Sequence, residues 1–167
     1  MKKMKIQYGG TVHGKEEIDA VVKVLKTSTQ LGKHVKLFEK KVSKIFSKKY
    51  SVMTNSGSSA MFLIMDKFNF PKGSEIITPT LTYSTTITAI IKNDLIPSFV
   101  DVNLNTLCID VDKIEKSITK KTKAILAINL MGSIADWIKI KKIARKYNLI
   151  VIEDSADTIG AKINNKS

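Results

Sequence analysis

The chain has 167 residues, of which 43% are hydrophobic, and its formal net charge is +13. This length suits one domain with a hydrophobic core, and the composition excludes a disordered or collagen-like chain. The single cysteine, Cys108, excludes a disulfide framework and a cysteine metal cluster. No apolar run is long enough to cross a bilayer and no signal peptide is evident, so we expect a cytoplasmic protein without a membrane partner.

The positive charge raises the question of nucleic-acid binding. All of the basic residues except Arg145 are lysines, and they are scattered over polar helix faces instead of forming one block. Phosphate recognition usually favours arginine, because its guanidinium group binds two oxygens at once. We therefore predict a solvated basic surface and no nucleic-acid partner.

The first part of the chain predicts two amphipathic helices separated by Gly32. The apolar residues that recur at helical spacing are Ile18, Val21, Val22 and Leu25 in the first helix, and Phe38, Val42, Ile45 and Phe46 in the second. We assign residues 1–48 to an N-terminal helical segment and residues 49–167 to a second domain.

From Tyr50 onward the pattern predicts alternating short strands and helices. The predicted strands are residues 50–53, 75–78, 95–100, 124–128, 149–152 and one within 161–167 that enters a turn at Asn164-Asn165. The predicted helices are residues 57–68, 83–92, one capped by Asp110 and one that carries Ile140, Ile143, Ala144 and Tyr147. This alternation indicates an α/β fold, with a mainly parallel sheet and helices on both faces. Ligands of such sheets bind beyond the carboxyl ends of the strands.

Nucleotide and metal motifs are absent from the sequence. No G-x-G-x-x-G follows the first strand, and no phosphate-binding G-x-x-x-x-G-K-[ST] is present. His13 and His34 are isolated and lie away from the predicted strand ends, so we expect no metal site.

The segment 54–59 is a small glycine-containing turn that leads directly into a helix. Such a turn exposes backbone N–H groups at the positive end of the helix dipole, where phosphate binds. The hydroxyl groups of Ser56, Ser58 and Ser59 add hydrogen-bond donors beside Gly57. The alternative interpretation is ordinary helix capping by serine.

Two other strand ends carry candidate binding residues. Tyr83 follows the strand at 75–78 and can stack on a flat ligand ring, although a tyrosine of the core or of an interface is an alternative. Asp154 and Asp157 follow the strand at 149–152. A carboxylate there needs a cationic or hydrogen-bonding partner, and a protonated pyridine nitrogen is one such partner. Metal or ribose binding, or turn capping, are the alternatives.

Five sequence blocks, in this order, resemble the DegT/DnrJ/StrS family of sugar-nucleotide aminotransferases. They are TNSGSSA at 54–60, EIITPTLTYSTT at 75–86, PSFVDVNLNT at 97–106, KTKAILAINLMG at 121–132 and IVIEDSADTIGA at 150–161. The resemblance implies the large domain of the aspartate-aminotransferase fold, with pyridoxal 5'-phosphate (PLP) as cofactor, and a homodimer with its active sites at the subunit interface. It also implies a substrate that is a keto sugar linked to a nucleotide, and an amino donor such as glutamate.

The resemblance assigns a role to each candidate residue. Ser58 and Ser59 contact the cofactor phosphate, and Ser56 and Gly57 shape the turn. Tyr83 stacks on the pyridine ring, and Asp154 pairs with its nitrogen. The family's lysine lies in a later S-F-x-x-x-K segment, so we nominate no catalytic residue. We therefore expect residues 49–167 to be a partial PLP-binding large domain, without the C-terminal small domain and inactive alone.

By the same resemblance Asp157 binds the cofactor near its ring hydroxyl, but it departs from the family pattern, because most of the aminotransferases have glutamine or histidine there. An aspartate resembles the related branch that removes the C3 hydroxyl of a sugar nucleotide and replaces the lysine with histidine. TNSGSSA and the early Tyr8-Gly9-Gly10 favour that branch as well. The first prediction is therefore an aminotransferase of amino-sugar or cell-surface polysaccharide synthesis. A 3-dehydratase and a non-catalytic binding or regulatory protein are the alternatives.

Overall fold

The computed structural model describes residues 10–30 and 32–163. The segments Tyr8-Gly9 and Asn164-Asn165, on which two of the sequence interpretations depend, lie outside these residues. The chain divides into two compact units, one up to Phe38 and one from Glu39 onward. The assignment of residues 49–167 to a cofactor-binding domain stays a prediction.

The first unit contains α1 (Lys15–Thr27) and the beginning of α2 (Lys33–Ile45). Helix α1 begins at Gly14, whose N–H donates to Glu17 Oε2 at 2.7 Å. This hydrogen bond lowers the pKa of Glu17. The predicted amphipathic pattern is confirmed. Its apolar residues are exposed in this structure: Ile18, Val21, Val22 and Leu25.

The second unit is built on a four-stranded parallel sheet. Its strands, in the order β2-β1-β3-β4 across the sheet, are β1 (Glu75–Pro79), β2 (Ile96–Val100), β3 (Thr122–Ile128) and β4 (Ile150–Asp154). Its helices are α3 (Gly57–Phe68), α4 (Ser84–Lys92), α5 (Val111–Ile114) and α6 (Trp137–Tyr147), and a 3-10 turn, Glu115–Ser117, follows α5. This arrangement confirms the predicted parallel α/β sheet.

The two faces of the sheet carry two separate hydrophobic clusters. On the first face, Ile76, Leu126 and Ile152 pack with residues of α3 and α4. On the second face, Ile77 and Ile125 pack with residues of α5 and α6. Because successive side chains of a strand point to opposite faces, each buried strand contributes alternately to both clusters.

Strand β3 lies between β1 and β4 and is the most deeply buried strand. Residues 124–127 have no exposed surface, so the predicted burial on both faces is confirmed. Replacing Leu126 with alanine in such a site would cost about 2–5 kcal/mol of unfolding free energy.

Some predicted elements differ from the structure. Residues 50–53 form no strand, because no described strand lies beside them; Tyr50 and Val52 are each 76% exposed. Of the strand predicted within 161–167, residues 161 and 162 have no strand geometry, Ile163 forms a β-bridge, and residues 164–167 lie outside the described residues. Asp110 caps a helix as predicted, with its Oδ1 accepting from Asp112 N at 3.2 Å, but the helix has one turn.

Strand β4 is longer than predicted. It extends through Asp154, and its last pair is Ile128 with Asp154. The sequence interpretation ended this strand at Ile152, before Glu153 and Asp154. Asp154 is therefore held in the sheet ladder, and its side-chain direction follows from the alternation along the strand.

Candidate functional site

The topology of the sheet locates a crevice between the carboxyl ends of β1 and β3. The chain passes from β1 to β2 through α4 on the first face, and from β3 to β4 through α6 on the second face. The connections that follow the neighbouring strands β1 and β3 therefore lie on opposite faces of the sheet. Ligands of parallel α/β sheets bind at such a switch point.

The N-terminus of α3 has two free backbone donors. Ser56 is the N-cap residue, and its Oγ accepts from Ser59 N at 3.1 Å. Ala60 N donates to the carbonyl of Ser56 at 3.1 Å. Among the described residues, the N–H groups of Gly57 and Ser58 have no partner, as is normal for the first turn of a helix. These donors and the helix dipole favour an anion.

Gly57 keeps this helix end open. A Cβ atom built on Gly57 meets no heavy atom within 4 Å. Ser58 and Ser59 are half-buried beside it, while Ser56 and Gly57 are exposed. A phosphate group can therefore approach the backbone directly.

Tyr83 lies at the start of α4, on the same face of the sheet as α3. It is the N-cap residue of α4, has an extended backbone (φ −71°, ψ 139°) and is 73% exposed. The core alternative for this tyrosine is wrong, because its ring projects away from both hydrophobic clusters. The ring is available to a flat ligand or to another subunit.

Asp154 is the last residue of β4 and is half-buried. It follows Ile152 by two residues, so its side chain lies on the first face, with α3 and α4. Its Oδ1 accepts from Ala156 N at 3.1 Å. In the part of the chain that the structure describes, Oδ2 has no hydrogen-bond partner and can accept from a ligand.

Asp157 contacts the loop that follows β3. Its Oδ2 accepts from the backbone N–H of Met131 at 3.2 Å. The carboxylate is exposed and lies at the carboxyl edge of the sheet. The structure thus brings Asp157 to the loop at the switch point.

Asn129 is a functional candidate that the sequence interpretation missed. It directly follows β3, is only 3% exposed and forms hydrogen bonds with both ends of its amide. Its Nδ2 donates to Glu153 Oε1 at 3.0 Å and to Ser155 Oγ at 2.8 Å. The available signal was a polar residue in an apolar stretch, which needs hydrogen-bond partners when it is buried.

The candidate residues other than Asp157 belong to elements on the first face of the sheet. Tyr83 follows the carboxyl end of β1, Asp154 is the last residue of β4, and Ser56 and Gly57 begin α3. A cavity of about 330 Å³ lies on the second face, and Asn129, Trp137, Glu153 and Ser155 are among the residues that line it. We take the first-face edge as the candidate site, because the free phosphate donors and the free carboxylate oxygen lie there.

Residues 10–30 and 32–163 contain no group of three histidine, cysteine, aspartate or glutamate side chains that could hold a metal ion. In the same residues, no helix is both long and apolar enough to cross a membrane.

A parallel sheet with helices on both faces, an open helix N-terminus and a carboxylate beyond the strand ends is typical of α/β domains that bind a phosphorylated ligand. A profile of the DegT/DnrJ/EryC1/StrS aminotransferase family matches residues 12–167. The chain belongs to this family, and the predicted family is confirmed.

Two curated relatives and one solved structure illustrate the similarity. The chain is 35% identical to the GDP-4-keto-6-deoxy-D-mannose 3-dehydratase of Yersinia pseudotuberculosis, over 99% of the chain and 44% of the relative. It is 41% identical to the dTDP-3-amino-3,6-dideoxy-alpha-D-galactopyranose transaminase of Aneurinibacillus thermoaerophilus, over 81% of the chain and 38% of the relative. A GDP-4-keto-6-deoxymannose-3-dehydratase with a trapped PLP-glutamate geminal diamine superposes with a TM-score of 0.91 and 34% identity, over 98% of the chain and 44% of that structure.

The chain thus spans less than half of the length of these relatives. The predicted aspartate-aminotransferase type of PLP fold is confirmed by the structural neighbours. The family is PLP-dependent, as predicted, and three of the solved neighbours contain a PLP-glutamate geminal diamine, hydrated PLP or the amine form PMP.

Proposed function

We propose that the chain supplies the PLP-binding part of an enzyme that acts on a nucleotide-linked keto sugar. The observation that carries the proposal is the pairing, on one face of the sheet, of an open helix N-terminus with a carboxylate oxygen free to accept. PLP has a phosphate group at one end and a basic ring nitrogen at the other. Both groups find a partner of complementary charge.

Different residues bind the phosphate, the ring and the ring nitrogen of PLP. The N–H groups of Gly57 and Ser58 and the hydroxyls of Ser58 and Ser59 hold the phosphate. Tyr83, with its exposed ring, stacks on the pyridine ring. Asp154 keeps the ring nitrogen protonated through a charge-assisted hydrogen bond. A protonated ring supplies an electron sink for reactions at the amino or sugar carbon.

For the reaction, we propose amino transfer from a donor such as glutamate to the keto group of the sugar. The 41% identity with a transaminase that acts on a dTDP-linked amino sugar supports this class. We propose biosynthesis of amino sugars or of cell-surface polysaccharide as the pathway, in the cytoplasm.

Removal of the C3 hydroxyl is the second candidate, and a specific observation favours it. Asp157 is exposed at the switch point and accepts a hydrogen bond from Met131 in the loop after β3. At the position of Asp157, the family's aminotransferases carry a neutral or imidazole side chain. Relatives that are 3-dehydratases match 81–99% of the chain. A dehydration needs a group that transfers a proton near the leaving hydroxyl, and a carboxyl group is one of the side chains that perform this task.

We also propose a homodimer. The exposed ring of Tyr83 and the open edge of the site leave one side of the bound cofactor uncovered in a single chain. A second copy that covers this side would exclude water from the charged groups and strengthen their interactions.

Equilibrium dialysis with PLP tests the proposed cofactor site. We expect reversible, stoichiometric binding to the chain, weakened about tenfold by Asp154→Asn, because one charge-assisted hydrogen bond is lost. Asp66→Asn, at an exposed position of α3, is the matched control and should leave the affinity unchanged. Equal affinities for Asp154→Asn and the unaltered chain would show that Asp154 does not bind the ring.

A further inference from the structure

One asparagine holds three consecutive residues around the proposed ring-binding carboxylate. The backbone N–H of Asn129 donates to the carbonyl of Asp154 at 2.9 Å. Its side-chain Nδ2 donates to Glu153 Oε1 at 3.0 Å and to Ser155 Oγ at 2.8 Å. Asn129 therefore fixes the residue before Asp154, the residue after it and the peptide between them.

The other end of the same amide is anchored in the hydrophobic core. Asn129 Oδ1 accepts from the backbone N–H of Ala135 and from Trp137 Nε1, both at 2.9 Å. Ala135 and Trp137 are 2% and 6% exposed. All four hydrogen-bonding positions of the amide are in use, so its orientation has one solution. Asn129 thus connects Glu153 and Ser155 to the hydrophobic core and to the start of α6.

The anchor and the carboxylate lie on opposite faces of the sheet. Asn129 contacts Trp137, which belongs to the second-face cluster, whereas Asp154 points to the first face. Asn129 therefore cannot touch a ligand bound to Asp154. Any effect that it has on the ligand acts through the backbone at the end of β4.

We propose that Asn129 is a positioning residue for Asp154, and this proposal rests on the proposed function. A carboxylate that pairs with a ring nitrogen must hold its oxygen within a few tenths of an ångström of one place, because a charge-assisted hydrogen bond is short and directional. Half-buried strand ends tend to fray, since their ladder hydrogen bonds have no neighbour beyond the edge. The three hydrogen bonds from Asn129 prevent fraying at the end of β4, where the direction of the Asp154 side chain matters.

The chemistry of the amide explains why asparagine stands at this position. Aspartate has the same shape and still accepts from Ala135 and Trp137, but it cannot donate to Glu153 or Ser155. It would also place a negative charge about 3.0 Å from the Glu153 carboxylate. Asn129→Asp thus removes both side-chain donations at the Asp154 end, while the core end and the backbone bond to the Asp154 carbonyl remain.

The test compares PLP with its 1-deaza analogue, in which a carbon replaces the ring nitrogen. Binding of both ligands is measured by equilibrium dialysis. The unaltered chain should prefer PLP about tenfold, the effect of one charge-assisted hydrogen bond. Asn129→Asp should abolish most of this preference by weakening PLP binding alone, with the affinity for the analogue unchanged within about twofold.

Two further variants separate positioning from folding. Ser155→Ala removes the bond that Asn129 Nδ2 donates to Ser155 and the bond that Ser155 Oγ donates to Glu153 Oε1 at 2.6 Å, without altering the core. It should reduce the preference about threefold. Asn93→Asp is the matched control, because its Nδ2 also donates one bond, to Ala89 O at 2.9 Å, far from the site. The control should keep the full preference. The indole N–H signal of Trp137, the only tryptophan, reports in NMR spectra that the anchored end is intact.

The outcomes distinguish the two proposals. If the unaltered chain does not distinguish PLP from the analogue, the proposed function fails, and the positioning role fails with it. If the unaltered chain prefers PLP but Asn129→Asp and Ser155→Ala keep that preference, the positioning role alone is wrong. An equal loss of affinity for both ligands also contradicts it, because it indicates a purely structural role.

Discussion

The carboxylate of Asp157 accepts a hydrogen bond from the backbone N–H of Met131, with 3.2 Å between Oδ2 and N. Met131 has a positive φ of 51°, and Gly132 after it has a φ of 85°. Residues with side chains seldom adopt this conformation, so the bond stabilises an unfavourable turn at the switch point. Asp157 therefore has a structural partner, whichever reaction the complete site performs.

Substitution of Asp157 should separate this structural role from its charge. Asp157→Ala is expected to lower the free energy of unfolding by about 0.5–1.5 kcal/mol, because the Met131 N–H loses its acceptor. Asp157→Asn keeps an acceptor oxygen and should cost less. Urea denaturation followed by circular dichroism measures both. Equal losses for the two variants would contradict a role for the hydrogen bond.

Ser56 and Ser58 should respond differently to alanine substitution. Ser56→Ala removes the N-cap of α3 and is expected to lower the free energy of unfolding by about 0.5–2 kcal/mol. Ser58→Ala removes a hydroxyl group that makes no hydrogen bond within the described residues, and should leave stability unchanged within about 0.5 kcal/mol. It should instead weaken PLP binding severalfold. Thermal unfolding and equilibrium dialysis of both variants give the comparison.

Gly57→Ala tests the approach of a phosphate group to the helix backbone. A Cβ atom at this position meets no protein atom, so we expect no loss of stability. Alanine is also the better helix former, by up to about 1 kcal/mol within a helix. The methyl group would, however, occupy space beside the free N–H groups, and PLP affinity should fall at least tenfold. Unchanged affinity would place the phosphate elsewhere.

Glu115 gives the fold a pH-dependent contact away from the site. Its Oε2 accepts from Lys146 Nζ at 2.9 Å and from the Tyr147 hydroxyl at 3.1 Å. The hydrogen bond from Lys146, more than any other contact, lowers the pKa of Glu115 below its usual value near 4.5. A lowered carboxylate pKa stabilises the folded state above the unfolded-state pKa, and this contribution disappears as the pH falls through the folded-state pKa.

The expected consequence is a small change in the acid sensitivity of unfolding. Between pH 7 and about pH 3.5, Glu115→Gln should lose less stability than the unaltered chain, because it has no carboxylate to protonate. The effect will be modest, since the contact is solvent-exposed. Glu16→Gln, at an exposed position without an ion pair in the described residues, is the control. Urea midpoints at both pH values measure the difference, and parallel curves for Glu115→Gln and the unaltered chain would contradict it.

Elements with strong local signals were predictable. The helix over residues 57–68 begins and ends where the sequence indicated, because a serine cap, an apolar stripe and Asn69 in the left-handed conformation all act locally. Strand β3 was predictable for a similar reason, since a continuous apolar run is typical of a strand buried on both faces.

Elements that depend on distant partners were not predictable from the sequence. The apolar residues at 50–53 fit a strand, yet a strand forms only beside another strand, and none of the described strands pairs with them. The one-turn α5 was predicted longer, because its apolar spacing continues into a segment that the structure folds as a 3-10 turn. The end of β4 depended on pairing of Asp154 with Ile128, which the sequence pattern does not encode.

The sequence by itself determined the family, the parallel α/β class and the candidate residues Ser56, Gly57, Ser58, Ser59, Tyr83, Asp154 and Asp157, because these follow from local patterns and their order. The tertiary structure alone decided which strand ends adjoin, that Asp154 faces the same side as α3, and that Asn129 fixes the residues around it. Those relationships join residues more than twenty positions apart. They depend on strand order and side-chain direction, which exist only once the sheet has formed.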